Sequence, residues 1–444
     1  MSTLRREARL RRRDASRRSL WALALVVLMH APSLARAHHV LPTHLELSLH
    51  SGRVDATMHL PTNELGLALA TTWGDRSLES LAITPTRFDE AFAERLRTYV
   101  ATYLALEDER SVAWPIEVGA PRWVEEPELP QVLVDVSFRA PDDHVAQTLT
   151  LRDEVISQEV VTHRTLVTLA HDFERAHFEG EETLGLLRFG RRAITLDRRD
   201  ANAWRGFVGM VELGAHHVAE GLDHLLFVFV LLLAAPSHAK RGRWTAARPV
   251  RDTLRRLLGV VTAFTIGHAL TLALGASGLL VLPSAPVEVV VGLSVALGAV
   301  HAMRPLFAGR EPIVAALFGL AHGLAFAGTL EGFGLRDESL VLALFGFHVG
   351  IEVVQLAVVV AFVPLLALGA RHVSFGVVRT LGGGLALAAS LVWGAERLGL
   401  PTPASALLEE ATRHVPTLGA LVYVALGFQV SIATWPRRRV EAVA

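Results

Sequence analysis

The 444-residue sequence has no cysteine, which excludes disulfides, thiolate metal sites and a cysteine nucleophile. Any metal chemistry must therefore fall to its 20 histidines. An excess of charge of one sign is also missing. Lys and Arg number 43 against 44 Asp and Glu, a formal net charge of −1, so charge balance points to neither nucleic acid nor an acidic partner. There is no phosphate-cradling glycine loop, no His-Glu-x-x-His helix and no Gly-x-Ser-x-Gly elbow. Apolar residues are abundant, at 51%. The chain is too oily for a soluble protein yet too charged to lie wholly in lipid, so two regions are expected.

The first residues carry an export pattern. Arg5 to Arg18 is strongly basic, Leu20 to Leu28 is apolar, and Ala35-Arg36-Ala37 is a small-x-small cleavage site. Residues 1–37 read as a signal peptide whose apolar run is too short to span a bilayer comfortably. Cleavage after Ala37 would expose His38 and His39, which could chelate a metal with the free amine, although paired histidines on a chain end are usually just solvated.

From 38 to about 201 the composition is that of a soluble domain. Period-two stretches such as His44 to Leu49 and Gln131 to Phe138 predict half-buried strands. Helical spacing over Phe88 to Leu106 predicts one helix within a mostly β extracytoplasmic domain. After Trp204, apolar segments centred near 222, 266, 293, 321, 353, 386 and 425 each approach the roughly 20 residues needed to cross the hydrocarbon core. The predicted fold class is thus a polytopic α-helical membrane bundle of about seven transmembrane helices, over 202–436, behind an N-terminal mostly-β extracytoplasmic domain. Leu381-Gly382-Gly383-Gly384 interrupts the sixth segment.

Loop charge orients the bundle, because cytoplasmic loops are enriched in Lys and Arg. The loop after span one holds Lys240, Arg241, Arg243, Arg248, Arg251, Arg255 and Arg256, whereas Gly275 to Pro286 has no basic residue. This places the first domain outside, with the basic tail 437–444 inside. Arg336, Arg397 and Arg413 fall on the outer side, against the trend.

Ionisable side chains cost at least about 2.5 kcal/mol each to insert at the centre of a bilayer, so those within spans are functional candidates. At about 100° per residue, His216, His217, Glu220, Asp223 and His224 share one face of span one. Neutral imidazole nitrogen and carboxylate oxygen suit zinc, nickel, cobalt or iron, and a neighbouring carboxylate can orient a ligating imidazole. The alternative is a wet outer interface with solvated histidines. His348, Glu352 and Gln355 repeat the device in span five at i, i+4 and i+7. Span two adds His268 among Thr262, Thr265 and Thr271. Span four adds His322 between Gly319 and Gly323, where close backbone packing is expected. Span three contributes Ser294 and Glu288; the latter follows Pro286 near a helix start, where a capping role competes with ligation. His301 reads as interfacial.

Taken in order, these segments resemble the HupE/UreJ family. The resemblance is carried by His217-x5-Asp223-His224, Phe264-Thr265-x-x-His268, Val287-Glu288 with Leu293-Ser294, Ala321-His322-Gly323, and Phe347-His348-Val349-Gly350-Ile351-Glu352 with Gln355. It spans roughly Gly206 to Leu356, and the chain looks like the subgroup with a large exported domain. Phe318 stands where shorter members have the first histidine of Phe-His-Gly-x-Ala-His-Gly, and Val218 where they commonly have proline. The resemblance implies a permease or accessory protein of a bacterial inner (cytoplasmic) membrane. Such a protein handles nickel or cobalt and acts beside metalloenzyme maturation proteins. The expected cargo is a divalent transition metal (nickel, cobalt or zinc), on a path lined by His217, Glu220, Asp223, His224, His268, Glu288, His322, His348 and Glu352. Two other readings fit the residues. One is a membrane-embedded zinc hydrolase with Glu288 or Glu352 as base. The other is a haem-binding electron carrier using axial histidines.

Overall fold

The structure is a computed structural model that describes residues 41–78, 89–125, 130–142, 146–280, 282–335, 337–372 and 374–400. The predicted signal peptide, His38, His39, the span near 425 and the basic tail lie outside the described residues.

The N-terminal region is mostly β. Strands β1 (Thr43–His50), β2 (Arg53–Pro61), β4 (Ile116–Val118), β5 (Arg122–Val124), β6 (Gln131–Arg139), β8 (Arg164–Asp172) and β9 (Glu182–Arg188) form one sheet. Its order is β4-β6-β2-β1-β8-β9, with β5 also on β6, and every pairing is antiparallel except β1 with β8. A smaller sheet runs β10-β7-β3, made of β3 (Leu104–Asp108), β7 (Thr148–Asp153) and β10 (Ala193–Asp197). Alternation explains the layering. Leu45, Leu47 and Leu49 of β1 and Val132, Val134, Val136 and Phe138 of β6 turn inward to one core with Leu104, Leu106, Leu149 and Leu151 of the smaller sheet. Helices α1 (Thr62–Trp73) and α2 (Glu90–Tyr103) contribute Leu65, Leu69, Leu96 and Val100 to that core.

The helix expected to run to Leu106 stops earlier. The Asp89 carboxylate caps its start by accepting from the Phe92 N–H at 2.8 Å. At Leu104 the backbone turns extended, and Leu104 and Leu106 become inward residues of β3. Leucines two apart fit a strand with one buried face as well as they fit a helix end, and pairing with β7 decides it.

Among the described residues, the C-terminal region contains five helices long and apolar enough to cross a membrane. They are α5 (Val250–Ala276), α6 (Ser284–Met303), α7 (Glu311–Gly332), α8 (Asp337–Gly369) and α9 (Phe375–Arg397). A sixth crossing exists only as a broken pair, α3 (Ala203–Glu220) and α4 (Leu222–Ala234), bent by 69°. The glycine run of α9 does not interrupt it. Gly382 lies against Phe229 and Leu233 and Gly383 against Met303, so these glycines serve close packing rather than a break.

Two helix pairs are packed backbone to backbone. A methyl group on Gly267 would overlap the Ala316 carbonyl, and one on Gly319 or Gly323 would overlap the carbonyls of Phe264 or His268, which presses α5 against α7. Gly214 and Gly350 do the same for α3 and α8, meeting the carbonyls of Phe347 and Val211. The β-rich region seats on one end of the bundle through Phe173 and Phe178, which pack with Met210, Phe333 and Leu335. At the other end a short hairpin, β11 (Ser237–Lys240) and β12 (Arg243–Ala247), precedes α5. There Arg256 pairs with buried Glu311, and Trp244 donates its indole N–H to the His301 carbonyl at 3.2 Å.

The packing has a measurable consequence. Gly350→Leu should cost about 1–3 kcal/mol or more through overpacking that the Val211 backbone cannot relieve. Gly328→Leu, whose side chain would enter open space, should leave the thermal midpoint of the detergent-purified protein unchanged. Equal midpoints for the two variants would contradict this account.

Candidate metal centre

The break between α3 and α4 builds the site. Gly221 is extended (φ −72°, ψ 102°), and a Cβ there would crowd the His217 carbonyl, Asp223 and His224. Because the helix stops, α4 starts anew with Asp223 in its first turn, where unpaired N–H groups and the helix dipole favour a carboxylate. The single face expected for span one is therefore split. His216 and Glu220 are exposed on α3, while His217, Asp223 and His224 are grouped with the buried histidines of the bundle. The local signal was Gly221 itself, set between the two halves of the motif.

The close pair α5 and α7 supplies the opposite wall. His268 is 0% exposed, and His224 and His322 are each 1% exposed. Nitrogens of His217, His224 and His268 lie within 4.8 Å of one another, as do ligand atoms of Asp223, His224 and His322, so two potential ligand triads share His224. His224 Nδ1 is 3.1 Å from Asp223 Oδ1, and His322 Nδ1 is 3.6 Å from Asp223 Oδ2. Four imidazole nitrogens, His217 Nε2, His224 Nε2, His268 Nε2 and His322 Nδ1, are buried without a hydrogen-bond partner. Phe264, Phe326 and Phe347 pack on these rings; the His217 and Phe326 centroids are 4.4 Å apart. Beside Asp223, a cleft of about 20 Å³ lined by Leu222, Leu226, Val295, Ser390 and Trp393 has room for about one water.

The remaining sequence candidates lie elsewhere or are already engaged. Glu288 pairs with Arg397 at 2.7 Å, which also accounts for a basic residue on the acidic side of the bundle. The Glu352 carboxylate accepts the hydroxyls of Thr262 at 2.7 Å and Thr265 at 2.6 Å. His348 meets His268 at 3.2 Å. His301 stands at the other end, its Nδ1 accepting the N–H groups of Leu306 and Phe307. The pairings of Glu288 with Arg397 and of Arg256 with Glu311 were not foreseen, because each joins segments far apart in sequence.

A donor set of imidazole nitrogens and one carboxylate, without thiolate, suits borderline divalent metals. Leaving each buried nitrogen unpaired costs about 1–3 kcal/mol, a cost that a bound cation would offset at all of them together. The residues present therefore fit a metal.

No curated protein matches the chain. Residues 193–397 match the family described as HupE / UreJ protein. That stretch takes in α3 to α9 and both candidate ligand triads, so the similarity to the HupE/UreJ family covers the helical part of the chain.

Proposed function

We propose that the protein is a membrane permease for a divalent transition metal, nickel or cobalt on the family resemblance, with the ion held inside the bundle by His217, Asp223, His224, His268 and His322. The observation that carries this reading is that four buried, unpartnered imidazole nitrogens belong to two potential ligand triads that share His224, one of them completed by the Asp223 carboxylate. Transport needs ligands able to replace the ion's water yet able to let it go. Imidazole and carboxylate groups meet that need better than a thiolate cage would. Asp223 offsets one of the two positive charges, and its partly exposed side chain faces the cleft between α4, α6 and α9.

The hydrolase reading needs a free carboxylate base at the metal. Glu288 is bound to Arg397 and Glu352 to two threonine hydroxyls, so neither supplies one. The haem reading needs an open plane between imidazoles, where this cluster has phenylalanine rings.

Cells expressing His224→Ala or His268→Ala should take up nickel or cobalt at background level, at least tenfold below cells with the intact protein at equal membrane abundance. Uptake equal to that of the intact protein would remove the reading. Ligand and bystander carboxylates should also separate in binding assays on purified protein. Asp223→Asn should weaken cobalt(II) binding by 10- to 100-fold, the range found when groups around a metal are lost, whereas Glu288→Gln and Glu220→Gln should leave it within a few-fold.

A further inference from the structure

We infer that His348 and Ser294 are positioning residues, each the middle of a hydrogen-bond relay that starts at a backbone carbonyl and selects which nitrogen of a ligand histidine is free to bind metal. The inference rests on the metal-site reading and deepens it.

The first relay runs from α8 to α5. His348 Nδ1 lies 2.7 Å from the Leu344 carbonyl oxygen, which can only accept, so the proton of a neutral His348 is on Nδ1. Its Nε2 is then a lone pair, and it faces His268 Nδ1 at 3.2 Å. His268 must therefore carry its own proton on Nδ1. The lone pair of His268 is left on Nε2, the atom that is buried without a partner and belongs to the residue grouped with His217 and His224.

The second relay runs from α6 to α7. The Ser294 hydroxyl donates to the Val291 carbonyl at 2.7 Å, so its oxygen is an acceptor toward His322 Nε2 at 3.0 Å. His322 then holds its proton on Nε2 and its lone pair on Nδ1. That Nδ1 is buried and unpartnered, and it faces Asp223 Oδ2 at 3.6 Å. Two acceptors face each other at a separation too long for a hydrogen bond. It is close to the roughly 3.4 Å between donor atoms on a tetrahedral centre with bonds of about 2.1 Å.

The two relays have the same construction on different helices. Each begins on a carbonyl within one turn of its middle residue, crosses to a neighbouring helix and ends on a nitrogen that points inward. Both nitrogens of His348 are consumed, so it has no lone pair left for a metal, although its position in sequence marks it as a ligand. A carbonyl-anchored partner that fixes the tautomer and orientation of a ligating imidazole is a known way of tuning metal affinity.

The test uses the full-length detergent-purified protein and cobalt(II) alone, with affinity from calorimetry and the count of imidazole ligands from X-ray absorption. Ser294→Ala and His348→Leu should weaken binding by 10- to 100-fold while the imidazole count stays that of the intact protein. Ser294→Thr and His348→Gln, which keep a hydroxyl and an acceptor in place, should recover affinity to within a few-fold. If His348→Gln loses one imidazole from the coordination shell, His348 is a ligand and the inference is overturned. Unchanged affinity in Ser294→Ala and His348→Leu would overturn it equally. Should His224→Ala and His268→Ala bind cobalt as the intact protein does, the metal-site reading itself falls, a result separable from failure of the relays alone.

Discussion

An imidazole lone pair in a dry interior, with no proton donor in reach, is the constraint on which the rest of this structure turns. Each costs about 1–3 kcal/mol, and four belong to residues of two potential ligand triads that share His224. A fold under selection for stability alone would pair them or place them in water. Here each ring is held inward by a device of its own. His217 and His224 flank a helix break, while His268 and His322 project from helices pressed together at glycine. Phenylalanine rings cover the cluster, so the polar atoms have little to interact with except one another and whatever cation lies between them.

Glycine makes this convergence possible. A ligand cluster contributed by four helix segments needs backbones closer than ordinary side chains permit, and Gly267, Gly319 and Gly323 provide that for α5 and α7. Thr271 uses the same proximity, donating its hydroxyl to the Leu320 carbonyl at 2.7 Å across the pair. The contact is therefore tied by hydrogen bonding as well as by shape. Gly214 and Gly350 bring α3 against α8 in the same way, which sets His217 and the His348 relay on facing walls.

Much of the architecture was legible in the sequence because its signals are local. Leucine alternation in β1 and valine alternation in β6 gave the strands, and apolar runs gave α5 to α9. The clustered histidines were visible as candidates as well, since histidine in an apolar helix is costly wherever it points. Their arrangement was not. A helical wheel drawn through Gly221 assumes an unbroken helix, so it grouped His216 and Glu220 with Asp223 and His224, which lie beyond the 69° bend. Partners distant in sequence were equally out of reach. Nothing near Glu288 announces Arg397, and nothing in the spacing of His348 reveals that Leu344 and His268 occupy both of its nitrogens. The glycine run in α9 misled for a related reason, because a glycine that packs and a glycine that breaks a helix look alike until the neighbour is known.

The candidate ligands divide into two structural classes. His268 and His322 stand on α5 and α7, whose glycine contacts leave no room for sliding, and their free nitrogens are fixed by hydrogen bonds that begin at main-chain carbonyls. His217, Asp223 and His224 flank Gly221, the extended residue at which α3 ends and α4 begins. Broken helices inside membranes characteristically expose backbone groups to ions and permit rigid halves to change angle. A rigid pair of ligands facing a jointed trio has a physical logic for a cargo site. The rigid half can retain the geometry that the metal selects, while the jointed half can lower the number of bonds holding it without either wall of the bundle having to unpack.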